Sequence, residues 1–171
     1  MRDAPIFLIG FMGAGKTTVG RLLAEKLGFQ FIDLDEMVEA GVGKSVRAIF
    51  AELGESEFRR LEKEALERVR DVKQTVIALG GGAYISEENR AIIDQIGEAV
   101  WLDCPPEICL ARIERDGSRP LLASEAEMKF LLDRRRPFYA LADHTIQTGD
   151  CTAEEAAARV LDALKKNTSD R

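Results

Sequence analysis

Residues Gly10-Phe11-Met12-Gly13-Ala14-Gly15-Lys16-Thr17 fit the pattern G-x-x-x-x-G-K-T and follow directly on the apolar run Ile6-Phe7-Leu8-Ile9. No other stretch of the chain restricts the fold as much. A loop of this kind needs a strand to deliver it and a helix to leave from it. Its glycines let the backbone turn so that several N–H groups face one anion. The helix that begins there adds the partial positive charge of its N-terminus. Lys16 is the side chain to reach a pair of phosphates, and the Thr17 hydroxyl suits Mg²⁺.

The rest of the chain continues the strand–loop–helix rhythm. Residues 17–27 show helical spacing, with Val19, Leu22, Leu23 and Leu27 on one side and Gly28 at the C-terminus. Short apolar strands are predicted at 29–32, 75–79 and 99–102, with a weak edge strand at 145–147. Helices are predicted at 34–40, 45–53, 56–69 and 86–96, then from Pro106 and over 129–141. The last helix is capped by the Thr152/Glu155 box. Residues 116–126 are polar and contain Gly117, Ser118 and Pro120, which predicts a mobile loop. Alternation of this kind implies a single α/β domain over 1–171, with a parallel sheet covered by helices on both faces. Ligands of such sheets bind at the carboxyl ends of the strands.

Composition narrows the partners. A net charge of −6 recommends neither nucleic acid nor an anionic membrane. No apolar run is long enough to cross a membrane, and the N-terminus does not read as a leader. Cys104, Cys109 and Cys151 lack metal-site spacing and cannot all pair, so free thiols and a cytoplasmic location are expected. His144 is given no role, and Trp101 belongs to the core.

Two further places carry chemistry. Asp33 ends the second strand at the edge where the phosphate loop lies, so its carboxylate can hold Mg²⁺ or accept a proton. Asp35 either faces the same site or simply begins the next helix, where acids are favoured. The third strand runs into Gly80-Gly81-Gly82 rather than into the metal-binding aspartate expected of an ATPase or GTPase. Three glycines permit close approach of backbone to a ligand.

In order and spacing, the Gly10–Thr17 loop, Asp33-Leu34-Asp35, Phe58-Arg59-Arg60, Gly80-Gly81-Gly82-Ala83, Arg119-Pro120-Leu121-Leu122 and Arg135-Arg136-Pro137-Phe138-Tyr139 together resemble shikimate kinase, a nucleoside-monophosphate-kinase-like P-loop family. The resemblance spans about residues 6–164. It implies a five-stranded parallel sheet of order 2-3-1-4-5, a substrate-binding subdomain over 34–62 and a lid over 113–125. It also implies ATP and shikimate as substrates, Mg²⁺ as cofactor and a monomer. Gly13, Ala14, Gly15, Lys16, Thr17 and Thr18 would hold the nucleotide phosphates, Arg112 would lie against adenine, and Thr17 and Asp33 would serve the metal. Asp35 would hold shikimate hydroxyls and orient or deprotonate the attacking one. Arg59 and Arg135 would grip the carboxylate, the Gly80–Gly82 backbone would approach the ring, and Arg119 would reach the transferring phosphoryl group. Arg134, Arg135 and Arg136 are consecutive, and Arg135 is chosen by counting back from Pro137 and Tyr139. The residue chemistry agrees, since a carboxylate calls for the planar fork of arginine. The competing readings are a gluconate-type kinase on the same fold, a GTP-dependent switch and a non-catalytic sensor. The switch lacks an N-K-x-D signature, and the sensor is opposed by intact Lys16, Thr17, Asp33 and Arg119.

Overall fold

The computed structural model describes residues 3–115 and 124–169. Five strands, β1 (Ile6–Ile9), β2 (Gln30–Asp33), β3 (Thr75–Ala78), β4 (Glu98–Asp103) and β5 (His144–Gln147), form one sheet in the order β2-β3-β1-β4-β5. Every neighbouring pair is parallel, as the resemblance implied. All four residues of β1 and of β3 are buried, whichever face they point to. Successive side chains alternate between faces, so both faces of the sheet centre are covered. The helices are α1 (Lys16–Leu27), α2 (Leu34–Val42), α3 (Val46–Arg68), α4 (Glu87–Ile96), α5 (Pro106–Arg115), α6 (Glu125–Tyr139) and α7 (Ala153–Ser169), with a 3₁₀ turn at Ala83–Ile85.

Local signals explain most boundaries. The Ser45 hydroxyl accepts from Ala48 N–H and starts α3, and Ser86 does the same for α4 through Asn89 N–H. Thr152 and Glu155 exchange both bonds of a capping box before α7. The two helices predicted over 45–69 run end to end as α3. The break between them is Gly54, at φ 83° and ψ 167°. The boundary that departs furthest from the sequence reading is the start of α6, at Glu125, four residues before the predicted one, because Ser124 caps it by accepting from Glu127 N–H. Pro137 is accommodated inside α6, two residues from its end. Of the predicted lid, 113–115 belong to α5, and 124–125 form the cap and first residue of α6. Residues 116–123, Arg119 among them, lie outside the described residues. Among the described residues no helix is long and apolar enough to cross a membrane.

Where α4 returns to β4, the chain passes very close to the start of β1. A Cβ on Gly97 would stand 2.4 Å from the Pro5 carbonyl oxygen and 2.7 Å from the Phe7 ring. The backbone there is extended, at φ −156°, so glycine is needed for space and not for its torsions. Gly97→Ala is expected to destabilise the fold by about 1–3 kcal/mol, because neither a backbone carbonyl nor a buried ring can yield freely. Thermal unfolding should report a fall of about 2–4 °C per kcal/mol for a chain of this size. An unchanged melting temperature would contradict the packing described.

Candidate active site

The carboxyl ends of β1, β2 and β3 meet at one edge of the sheet, and the phosphate loop, Asp33, Asp35 and the glycine triplet gather there. The phosphate loop leaves β1 with Gly13 at φ 75° and Gly15, the residue before α1, at φ 96°. Both lie in the left-handed region that glycine adopts without cost. Gly13 is also confined by packing, since a Cβ would stand 2.6 Å from the Cys109 carbonyl of α5. The Lys16 ammonium folds back into the loop and donates to the carbonyls of Gly10 (2.8 Å) and Phe11 (2.9 Å). Its burial pulls the ammonium pKa below the usual lysine value, against the opposing field of Asp35 and Asp33.

Thr17 and Asp33 are brought together, the hydroxyl donating to Asp33 Oδ2 at 2.7 Å. Asp33 Oδ1 accepts from the N–H groups of Asp35 (3.1 Å) and Glu36 (3.4 Å), so the same carboxylate caps α2. Among the described residues no group of three or more His, Cys, Asp or Glu side chains is placed to hold a metal. One hydroxyl beside one carboxylate at a phosphate loop fits Mg²⁺, which keeps several waters and takes further ligands from phosphate.

Asp35 stands in the first turn of α2, and its carboxylate points inward, toward Gly80. Its Oδ1 is buried and has no hydrogen-bond partner among the described residues. Burial is the main cause that raises its pKa to about 6, partly offset by Lys16. Glu62, on α3, shares this character. It is 1% exposed, its Oε1 is likewise unpartnered among the described residues, and burial raises its pKa to about 7. Its other oxygen accepts from Arg59 Nη1 at 2.9 Å. The Arg59 guanidinium also reaches Glu55 (3.3 Å) and lies over the Phe58 ring at 5.3 Å. Arg60, its neighbour, is turned to solvent and paired with Glu57 and Glu64.

None of Gly80, Gly81 and Gly82 has a positive φ; what they supply is room. A Cβ on Gly80 would stand 2.6 Å from Asp35 Oδ1 and 2.9 Å from Glu62 Oε1. One on Gly81 would meet Arg135 Nη1 at 3.2 Å, and one on Gly82 would meet Arg59 Nη2 at 2.3 Å. The triplet therefore admits four charged side chains against bare backbone.

The three arginines of α6 separate clearly. Arg136 is held by Asp103 (3.1 Å) and lies over Trp101, away from the cavity. Arg134 borders the cavity from its exposed side and stacks on Phe130. Arg135 faces Gly81 and lies over the ring of Phe11, in the phosphate loop, at 5.8 Å. With Arg59, Gly82, Ile85, Ser86, Leu131 and Phe138, these residues line a cavity of 570 Å³. A second cavity, of 240 Å³, lies on the other side of the loop between Ala14, Gly15, Thr18, Arg112, Thr148 and Cys151. Arg112 donates to the Ala14 carbonyl (3.2 Å), which fixes it against the loop.

The sequence reading missed Glu55 and Glu62, which hold Arg59, and Thr148, Cys151 and Ala153, which line the second cavity. The i,i+4 spacing of Glu55 and Arg59 and the i,i+3 spacing of Arg59 and Glu62 were signals for those two acids. Nothing in the residue types pointed to the others.

Comparison with known proteins agrees with this geometry. The shikimate kinase family profile matches residues 12–165. The shikimate kinase of Moorella thermoacetica is 48% identical over 94% of each chain. That of Persephonella marina is 46% identical over 94% of this chain and 98% of its own. The solved structure of shikimate kinase from Acinetobacter baumannii in complex with shikimate superposes with a TM-score of 0.90 at 40% identity, covering 96% of this chain and 94% of that one. With its phosphate loop, its paired cavities and its inward-facing Asp35, Arg59 and Arg135 on a sheet of order 2-3-1-4-5, this chain belongs to the shikimate kinase family.

Proposed function

We propose that the chain transfers the γ-phosphoryl group of ATP to the 3-hydroxyl of shikimate, yielding ADP and shikimate 3-phosphate on the route to chorismate. The observation that carries this reading is the 570 Å³ cavity lined by Arg59 and Arg135, together with the Asp35 carboxylate, whose buried Oδ1 has no partner among the described residues and lies against Gly80, two residues before the lining Gly82. Shikimate offers one carboxylate and three hydroxyls. Arg59 and Arg135 supply paired charge-assisted bonds for the carboxylate, and Asp35 Oδ1 is free to accept from a hydroxyl. The backbone at Gly80, Gly81 and Gly82 approaches the ring.

Gly13, Ala14, Gly15 and Thr18 present N–H groups to the phosphates, Arg112 borders the base, and Lys16 exchanges its loop carbonyls for phosphate oxygens. Thr17 and Asp33 would hold Mg²⁺, which neutralises phosphate charge when bound. In the transfer, the 3-hydroxyl oxygen bonds to the γ-phosphorus as the bond to the β-phosphate oxygen breaks. The hydroxyl proton passes to Asp35, and ADP departs. Catalysis is then mainly positioning and charge stabilisation. Arg119, known from its motif alone, is assigned to the transferring phosphoryl group within a lid over 113–125. Residues 34–62 act as the substrate-binding subdomain, since they supply Asp35, Arg59 and Glu62. The enzyme is taken as a monomer, and its three free cysteines accord with a reducing, cytoplasmic setting.

Coupled ADP release should rise on adding shikimate and vanish on removing Mg²⁺. Turnover of gluconate with none of shikimate would overturn the reading. Arg59→Ala and Arg135→Ala should each weaken shikimate binding tenfold or more, since a charge-assisted bond contributes about 1.5–3 kcal/mol, and leave ATP binding nearly intact. Arg136→Ala should instead lower the melting temperature and spare shikimate affinity; the opposite pattern would move the carboxylate site. Asp35 accepts a proton only when ionised, so kcat/KM should decline as pH falls through about 6. Asp35→Asn should lower kcat far more than it raises KM and remove this acid limb. A wild-type profile in that variant would shift the role to Asp33.

A further inference from the structure

Tyr139 belongs to the Arg135–Tyr139 motif, yet neither the sequence nor the mechanism above gives it a task. It is the last residue of α6 and is fully buried, its ring tilted against Trp101 at 5.8 Å between centroids. A ring in that position fills the core without any hydroxyl. The hydroxyl is nevertheless engaged, donating to the carbonyl of Gly81, the middle glycine of the triplet.

That contact acts on the narrowest part of the site. Around the Cβ position of Gly81 stand Arg135 Nη1 at 3.2 Å, the Gly10 carbonyl oxygen at 3.6 Å and Met12 N at 3.7 Å. The Gly81 peptide is thus wedged between the arginine assigned to the acid and the loop assigned to the phosphates. Arg135 precedes Tyr139 by one helical turn, so the two side chains leave the same face of α6. Burial pushes the phenol up to about 12, against the opposing field of Arg135, so it remains a proton donor at working pH.

We propose that Tyr139 is a positioning residue: its hydroxyl fixes the Gly81 peptide and, across it, the Arg135 guanidinium, in the geometry that captures the substrate carboxylate. The inference rests on the shikimate reading above and deepens it. The ring supports the core, and the hydroxyl acts on one substrate only.

Tyr139→Phe keeps the ring and removes the oxygen. Steady-state kinetics should show KM for shikimate raised about five- to tenfold, with kcat and KM for ATP within about twofold of wild type. In an Arg135→Ala background the same change should cost less than about twofold, because residues acting through one another are not additive. Melting temperatures accompany both measurements. An unchanged shikimate KM, or a penalty that persists in full without Arg135, would overturn the proposal. Equal losses for both substrates, or a variant that no longer folds, would assign the hydroxyl to the frame and overturn it as well. A wild type that ignores shikimate would sink the parent reading and this inference together. A wild type that uses shikimate beside an unaffected Tyr139→Phe would sink this inference alone.

Discussion

The Lys16 ammonium is a buried cation at the carboxyl end of the central strand, and the catalytic edge is organised around keeping it there. Removing a charge from water is costly unless other groups replace the solvent. Here the Gly10 and Phe11 carbonyls do so directly, while Asp33 and Asp35 oppose the loss through their fields. This arrangement requires β2 to deliver its acids next to β1's loop, with β3 between them. The strand order β2-β3-β1 does that, and it brings the glycine triplet of β3 to the same edge.

Around that cation the site stores two unmet hydrogen-bonding needs. Asp35 Oδ1 and Glu62 Oε1 are buried against Gly80 without partners among the described residues. Leaving a buried acceptor unsatisfied costs about 1–3 kcal/mol, and a frame that tolerates this is prepared to receive donors. Hydroxyl groups of a polyol meet that need. The arginines are restrained in a complementary way. Arg59 is tied to Glu62 and Glu55, and Arg135 lies between Phe11 and Gly81, so neither must be ordered from free rotation when an anion arrives.

The glycine triplet shows how a correct signal can have a different immediate cause. Its sequence promised close approach to a ligand. What the backbone admits in this structure is Asp35, Glu62, Arg135 and Arg59, each nearer than a side chain at 80, 81 or 82 would allow. Ligand approach and side-chain approach follow from the same missing Cβ atoms, and together they explain why three consecutive positions are glycine.

The fold class and the phosphate loop were legible in the chain alone because their signals are local, whereas the roles of Asp35 and Arg59 came from family resemblance. Apolar period, caps and glycine placement act within a few residues, and the motif couples strand to helix directly. The strand order and the assignment of Arg135 came from family resemblance and a count. The tertiary structure sets the three arginines apart: Arg136 is drawn off by Asp103 and Trp101, Arg134 lies at the exposed rim, and Arg135 faces Gly81. Glu62 looked like one more charge on a charged helix until folding buried it beside Gly80. The Tyr139 hydroxyl found its partner only when folding brought it to Gly81, 58 residues away in sequence. Thr148 and Cys151 acquired a place only when the turn after β5 came to rest beside the phosphate loop. Such contacts join residues far apart in the chain, and their strength depends on burial, which only the packed fold decides.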